Sequence, residues 1–144
     1  MQNRHRHRTR AGFTLIEILV VMAIIALLAG LVGPRLIRQQ EKAQLKATRT
    51  QVEMLGTALD TFRLDVGRYP TSQEGLRALR SPVQDSQRWD GPYLKKDLPL
   101  DPWENEYQYR SPGQDGRPYD LFSYGADGSP GGQGDAADIT SWEG

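Results

Sequence analysis

The 144-residue sequence predicts an α+β protein, with one long N-terminal helix packed on a small head that contains a short antiparallel sheet. Two observations support this fold class. Residues 13–66 join an unbroken apolar run to a segment whose apolar residues recur at helical spacing. Three short alternating or aromatic segments follow towards the C-terminus and predict strands at 106–110, 119–124 and 138–142.

The first part of the long helix has the length and composition of a membrane span. From Phe13 to Gly33 there are 21 residues, of which Glu17 alone is charged. A helix of that length spans about 31 Å, which matches the hydrocarbon core of a bilayer. A carboxylate there costs roughly 2.5–3.5 kcal/mol on insertion scales, so Glu17 is expected to have a function. Gly33 and Pro34 are expected to kink the helix without ending it.

The distribution of charge indicates how this span is oriented. Residues 1–12 contain four arginines and no acidic residue, and basic residues ahead of an apolar span favour the cytoplasm for that end. Residues 67–144 would then be exported; they contain 8 basic and 13 acidic side chains, a net charge of −5. A nucleic-acid partner is not expected, because the basic cluster is short and adjoins the membrane segment.

Composition also limits the chemistry of the exported part. The chain has no cysteine, which excludes disulfides, thiolate metal sites and cysteine nucleophiles. No histidine follows His7, so the exported part has no histidine-based catalytic pair, and an enzyme is not expected. A cleaved secretory signal peptide is disfavoured, because the apolar run is too long and no small-residue cleavage site follows it. A plain signal anchor remains an alternative.

The second part of the long helix is amphipathic. Six apolar residues and one threonine are spaced alternately by three and four, which is typical of a helix with one buried face. They are Leu45, Thr48, Val52, Leu55, Leu59, Phe62 and Val66. A coiled-coil seam has the same spacing, but packing on the chain's own head is the preferred interpretation because the stripe is one-sided. Gly67 and Tyr69-Pro70 are expected to end the helix.

The remaining chain is predicted to form the head. Thr71 or Ser72 can cap a short second helix over 73–79, with Glu74 in its first turn. Residues 81–105 are predicted to form a loop whose apolar side chains anchor it to the head. The Asp101-Pro102-Trp103 turn within this loop is predicted to have a structural role. The expected anchors are Trp89, Tyr93, Leu94, Leu98, Leu100 and Trp103. Residues 112–116 are expected to connect the first two strands.

A glycine- and aspartate-rich loop, residues 125–138, is the main candidate for a metal site. Asp127, Asp135 and Asp138 could converge on one ion, and backbone carbonyls of Tyr124 and Ser129 could complete its shell. Calcium prefers such oxygen ligands. The alternative interpretation is an acidic loop without a ligand.

Residues Gly12-Phe13-Thr14-Leu15-Ile16-Glu17 resemble the prepilin cleavage motif of type IV pilins and type II secretion pseudopilins. The resemblance implies a type IV pilin-like fold, cleavage after Gly12 by a prepilin peptidase and N-methylation of Phe13. It divides the chain into a cytoplasmic leader (1–12), a transmembrane and assembly helix (13–34), its amphipathic continuation (35–66) and a periplasmic head with a C-terminal calcium loop (67–144).

The head resembles the major pseudopilins of type II secretion systems over nearly its whole length. The matching motifs are Tyr69-Pro70-Thr71, Glu74-Gly75-Leu76, Gly91-Pro92-Tyr93-Leu94, Asp101-Pro102-Trp103, Tyr109-Arg110-Ser111-Pro112-Gly113, Tyr119-Asp120-Leu121, Ser123-Tyr124-Gly125-Ala126-Asp127-Gly128, Asp138-Ile139 and Trp142. This resemblance implies calcium in the last loop. The chain departs from the family pattern at Glu104 and Glu106, which replace glycine and proline, and at Ala136 and Ala137, where a carboxylate is common.

The resemblance also implies the function and the partners. The chain would be anchored in the bacterial inner membrane and assemble with itself and with minor pseudopilins into a periplasmic filament. Glu17 would pair with the α-amine of Phe13 in a neighbouring subunit. An inner-membrane platform with its ATPase would drive the filament, which would push folded proteins through an outer-membrane secretin. The alternatives are a type IV pilin or minor pilin of a surface fibre, and a signal-anchored periplasmic calcium-binding domain.

Overall fold

The computed structural model of the chain describes residues 12–84 and 87–143, apart from the side chain of Asp135. The predicted leader therefore lies outside the described residues except for Gly12. Helix α1 runs Leu15–Val66 and contains Pro34 without ending there, as the sequence predicts. The chain divides within this helix into two compact units, of which Gln40–Gly144 contains the head.

The N-terminal part of α1 exposes its apolar side chains along its whole length. Large apolar residues from Phe13 to Ile37 are exposed, and α1 is the one helix of the described residues that is long and apolar enough to cross a membrane. An exposed apolar surface of this size is typical of segments that contact lipid or other protein.

The amphipathic part of α1 supplies one side of the head core, which confirms the helical stripe. Its buried residues are Thr48, Val52, Leu55, Ala58, Leu59 and Phe62. Leu76, Leu79, Leu94, Tyr107 and Leu121 pack against them. Burying each large apolar side chain contributes roughly 1.5–3 kcal/mol. This face is covered by the chain's own head, so the coiled-coil alternative is not needed.

Helix α1 ends where the sequence predicts. Gly67 adopts φ +87°, and its N–H donates to the carbonyl of Arg63 at 2.8 Å, which closes the last turn. Beyond it, Thr71 is the cap, one of the two residues that the sequence offers: the Glu74 N–H donates to Thr71 Oγ1 at 3.2 Å. The reciprocal hydrogen bond, from the Thr71 N–H to the Glu74 carboxylate at 2.7 Å, was not predicted.

The helix predicted over 73–79 is wrong in type and extent. The segment forms a turn followed by a 3₁₀ helix, Gly75–Leu79. Gly75 has φ +59°, a left-handed conformation that a right-handed α-helix cannot contain, so the turn at 72–74 cannot continue as an α-helix.

The sheet has three short antiparallel strands in the order β1-β2-β3. They are β1 (Gln108–Arg110), β2 (Asp120–Ser123) and β3 (Ile139–Thr140), each inside its predicted segment but shorter. Gln108 pairs with Phe122, and Phe122 pairs with Thr140. The connection between β1 and β2 contains a 3₁₀ turn, Gln114–Gly116, in the predicted hairpin segment.

Most of the expected anchors in the 81–105 loop pack on the core. Leu94 is buried, and Trp89, Tyr93 and Leu98 are partly buried against the core. Leu100 is not an anchor: its side chain is half exposed, and its backbone forms an isolated antiparallel bridge with Glu106. Trp103 is partly exposed and lies outside the core cluster.

Candidate assembly and calcium sites

The start of α1 places Glu17 in the first helical turn. Its backbone N–H donates to Thr14 Oγ1 at 3.3 Å and to the Thr14 carbonyl at 3.1 Å, so Thr14 caps the helix. The sequence reasoning missed this cap, although the Thr14-x-x-Glu17 spacing is that of a capping box. The cap fixes where the helix begins and therefore which residue stands in its first turn.

Phe13 and Glu17 border one apolar surface. Together with Ile18, Val21 and Met22 they line a shallow groove at the start of the helix. Phe13 is 79% exposed, and Glu17 is exposed as well. The structure thus brings the two predicted assembly residues together within one subunit's N-terminal surface. A carboxylate on a surface that leaves water carries a desolvation cost, which an opposite charge placed there would reduce.

A local turn of the C-terminal loop positions Asp127, the first predicted metal-binding residue. Asp127 ends a 3₁₀ turn, Gly125–Asp127, and Gly128 follows with φ +62°. The Asp127 carboxylate accepts the Ser129 N–H at 3.1 Å, and the Ser129 hydroxyl donates to the Asp127 carbonyl. Both side chains are exposed, so the carboxylate keeps free lone pairs for a ligand.

The second predicted ligand closes the loop. Both carboxylate oxygens of Asp138 accept the N–H of Gly131 at 3.1 Å. Near Asp138, the backbone at Gly132 lies very close to the backbone at Ala136: a Cβ on Gly132 would be 2.2 Å from the Ala136 carbonyl oxygen. Only glycine permits this approach.

The structure leaves the complete ligand set open. Within the described residues, no group of three or more histidine, cysteine, aspartate or glutamate side chains is placed to bind a metal. Asp135 lies in the 3₁₀ turn Gly134–Ala136, but its side chain is outside the described part. Tyr124 precedes the turn Gly125–Asp127, and the centre of its ring lies 5.1 Å from the centre of the Phe122 ring. The available donors are carboxylate and carbonyl oxygens on a loop folded back on itself, and this donor chemistry fits calcium.

Two buried aspartates in the head, Asp101 and Asp120, were not predicted as important. Asp101 is buried in the turn that the sequence marks as structural, and it is hydrogen-bonded to Ser123 at the end of β2. Asp120 at the start of β2 is fully buried between two arginines. Burial of a carboxylate depends on partners that are distant in sequence, so spacing alone gave no signal for Asp101. For Asp120, the nearby Arg110 and Arg117 were a usable signal.

Asp120 is held by several donors at once. Arg117 Nε donates to it at 2.7 Å, the Gln114 N–H donates at 2.9 Å, and Arg110 donates through both Nε and a terminal nitrogen. Burial raises the pKa of this carboxyl, but these hydrogen bonds outweigh burial and lower the pKa to about 2. Gly113 allows the approach, because a Cβ there would lie 2.6 Å from Asp120 Oδ1.

Arg117 extends this cluster to the C-terminus. Its guanidinium lies 4.2 Å from the ring centre of Trp142, which in turn packs on Phe122. The β1–β2 connection and the last residues of the chain are therefore attached to each other through one arginine.

Comparison with known proteins places both parts of the chain. The family model described as type II secretion system (T2SS), protein G, matches residues 35–142, and the prokaryotic N-terminal methylation motif matches residues 7–33. A type II secretion system core protein G from Pseudomonas aeruginosa is 45% identical over 143 residues, covering 96% of this chain and 99% of the relative. The corresponding protein of Vibrio cholerae is 45% identical over 138 residues, covering 94% and 93%.

A solved structure agrees with these matches. The crystal structure of the major pseudopilin from the type 2 secretion system of enterohaemorrhagic Escherichia coli superimposes with a TM-score of 0.60 at 40% identity. The match covers 76% of this chain and 95% of the solved chain. On the family matches, the relatives and the fold, the chain belongs to the type II secretion system protein G family, the major pseudopilins.

Proposed function

We propose that this pseudopilin is held in the inner membrane with its N-terminus in the cytoplasm and its head in the periplasm, and is then added to a periplasmic filament. The exposed apolar part of α1 supports this proposal, because it needs lipid before assembly and neighbouring subunits afterwards. The basic residues that precede the span favour this orientation.

Processing would create the group that Glu17 needs. The match to the N-terminal methylation motif supports cleavage between Gly12 and Phe13 by a prepilin peptidase, followed by methylation of the new N-terminus. Cleavage leaves a positively charged α-amine on Phe13, at the edge of the same apolar surface as the Glu17 carboxylate. No such charge exists at this position in the uncut chain.

The Glu17 carboxylate would pair with the α-amine of Phe13 in a neighbouring subunit. Two opposite charges that leave water together neutralise each other, whereas one alone carries an uncompensated desolvation cost of about 3–5 kcal/mol. The pair would therefore fix the register of each incoming subunit. The single observation that carries this proposal is one acidic residue, exposed in the first turn of an otherwise charge-free apolar surface.

Substitution of Glu17 tests the pairing. Glu17→Gln, which removes the charge and keeps the shape, should leave leader cleavage intact while filament assembly is lost. Glu17→Asp keeps the charge and should restore part of the assembly. The measurement is the amount of sheared filament alongside an immunoblot of processed subunit. Wild-type amounts of filament from Glu17→Gln would refute the role of the charge.

The C-terminal loop would bind calcium. Asp127 and Asp138 would supply carboxylates, Asp135 a third, and Tyr124 and Ser129 backbone carbonyls. A bound calcium ion would join the two ends of the loop by neutralising carboxylates that otherwise repel each other. The exposed Asp127 carboxylate and the closure of the loop by Asp138 support this proposal.

The filament would work with the other components of a type II system. Minor pseudopilins, an inner-membrane platform with its ATPase and an outer-membrane secretin are the expected partners, and growth of the filament would help push folded proteins through the secretin. The matches to secretion proteins favour this function over a type IV pilin of a surface fibre. A signal-anchored domain that never assembles is distinguished by the state of its N-terminus.

A further inference from the structure

One buried carboxylate connects the 101–105 turn to the entrance of the C-terminal loop. Asp101 Oδ1 accepts the N–H groups of Trp103 at 3.0 Å and Asn105 at 2.8 Å. Its other oxygen, Oδ2, accepts the hydroxyl of Ser123 at 2.6 Å. Asp101 is 4% exposed and Ser123 is fully buried, so neither group has water as an alternative partner.

Ser123 connects Asp101 to the first residue of the loop by hydrogen bonds. A hydroxyl has one proton, and here it is donated to Asp101, so the oxygen is left to accept the N–H of Gly125 at 3.0 Å. The carbonyl of the same glycine accepts Asn105 Nδ2 at 3.1 Å. Both polar backbone groups of Gly125 are therefore fixed by residues that Asp101 orients.

Gly125 is where the proposed calcium loop begins. It follows Tyr124, it is buried with φ +70°, and the turn it opens ends at Asp127. No large apolar side chain lies between 125 and 138 to fix the loop by packing. The hydrogen bonds at Gly125 are therefore the attachment of this end of the loop to the core.

We propose that Asp101 is a positioning residue for the C-terminal loop: acting through Ser123 and Asn105, it pre-orders the chain at Gly125 and thereby sets the affinity for calcium. The calcium part rests on the proposed calcium site. A loop that is ordered before binding loses less conformational freedom when the ion binds, and the affinity is higher by that difference. Asp101 itself does not contact the ion.

Asp101→Asn is the most direct test, because it changes the chemistry and keeps the shape. The amide oxygen can still accept the N–H groups of Trp103 and Asn105, but the amide nitrogen is a donor and cannot accept the hydroxyl proton of Ser123. Asp97→Asn is the matched control, because the Asp97 side chain is 98% exposed and contacts Arg80 at the surface.

The experiment is calcium titration calorimetry on the full chain in detergent micelles. Asp101→Asn should raise the Kd for calcium about tenfold, equal to about 1.4 kcal/mol, while Asp97→Asn leaves it unchanged. A Kd for Asp101→Asn within twofold of wild type would overturn the proposal. If Asp101→Asn does not fold, Ser123→Ala is the second variant: it keeps the hydrogen bonds from Trp103 and Asn105 to Asp101 Oδ1 and removes the hydroxyl that joins Asp101 Oδ2 to the Gly125 N–H.

A second readout is independent of calcium. Amide hydrogen exchange at Gly125, followed by NMR in EGTA, should be at least about tenfold faster in Ser123→Ala and Asp101→Asn than in wild type. Unchanged exchange would overturn the positioning role even if calcium affinity fell. If wild type does not bind calcium, the proposed calcium site and the link to affinity both fail, while the exchange rates still decide whether Asp101 orders the loop.

Discussion

Replacement of Asp120 by asparagine should destabilise the head by about 2 kcal/mol at neutral pH, and the loss should shrink in acid. The substitution keeps the size of the side chain and removes the charge that Arg110 and Arg117 share. The soluble fragment 36–144 suits the measurement, because it contains all the core residues and the whole compact unit Gln40–Gly144.

The magnitude follows from the pKa of the buried carboxyl. Its hydrogen bonds lower the pKa from the ordinary value of 3.8 to about 2 against the effect of burial. At about 1.4 kcal/mol per pH unit, this difference corresponds to roughly 2–3 kcal/mol of stability. Arg110 is 45% exposed, and water screens part of its attraction, which reduces the expected loss to about 2 kcal/mol.

The sign of the pH dependence is fixed by the lowered pKa. A carboxyl whose pKa is lower in the folded state stabilises the protein fully above its unfolded pKa, and this contribution disappears as the pH falls from about 4 to about 2. The difference between wild type and Asp120→Asn should therefore be constant from pH 7 to pH 5 and small near pH 2.

Urea unfolding of both proteins across this pH range measures the difference directly. The hydrogen bond from Arg68 lowers the pKa of Glu74 to about 2 as well, but Glu74 is common to both proteins, so its effect cancels. The exposed control Asp97→Asn should stay within about 0.5 kcal/mol of wild type. An Asp120→Asn protein as stable as wild type at pH 7, or one whose deficit persists at pH 2, would refute the reasoning.

Two further predictions concern the turn at Glu104 and the calcium loop. Glu104 has φ +69°, a left-handed conformation that destabilises the fold by about 1–2 kcal/mol for a non-glycine residue. Glycine adopts it without this cost, but its greater freedom in the unfolded chain lowers stability by about 0.5–1 kcal/mol. Glu104→Gly should therefore stabilise the head by roughly 0.5–1 kcal/mol; a lower Tm by calorimetry would contradict this account of the turn. EDTA should lower the Tm of fragment 36–144 measured in calcium, by the equivalent of about 2.7 kcal/mol when calcium is at 100 times its Kd. Asp127→Ala should melt like the EDTA-treated protein, and equal melting curves with and without EDTA would count against the site.

The features that the sequence predicted are those that depend on local spacing. The alternation of three and four from Thr48 to Phe62 defines a helix face, because it follows directly from the helical repeat. The end of α1 at Gly67 and the hydrogen bond from the Glu74 N–H to Thr71 Oγ1 also depend on residues close together in the chain. These features form in the same way whatever lies elsewhere in the fold.

The features that were missed depend on contacts between distant segments. The buried Asp101 is hydrogen-bonded to the hydroxyl of Ser123, which lies 22 residues later in the chain. Leu100 is apolar and was expected to pack on the core, but its side chain is half exposed beside an isolated backbone bridge to Glu106. Gly75 has a left-handed conformation that the neighbouring residues do not predict, so the 73–79 segment was predicted as an ordinary helix.

Mass spectrometry of the N-terminus of the membrane-bound subunit tests the central claim most directly. Pairing of Glu17 between subunits requires an α-amine that exists only after cleavage between Gly12 and Phe13. We expect a mature chain that begins at Phe13 with one N-methyl group. A chain that still carries residues 1–12, or an unmethylated Phe13, would contradict it and favour a plain membrane anchor.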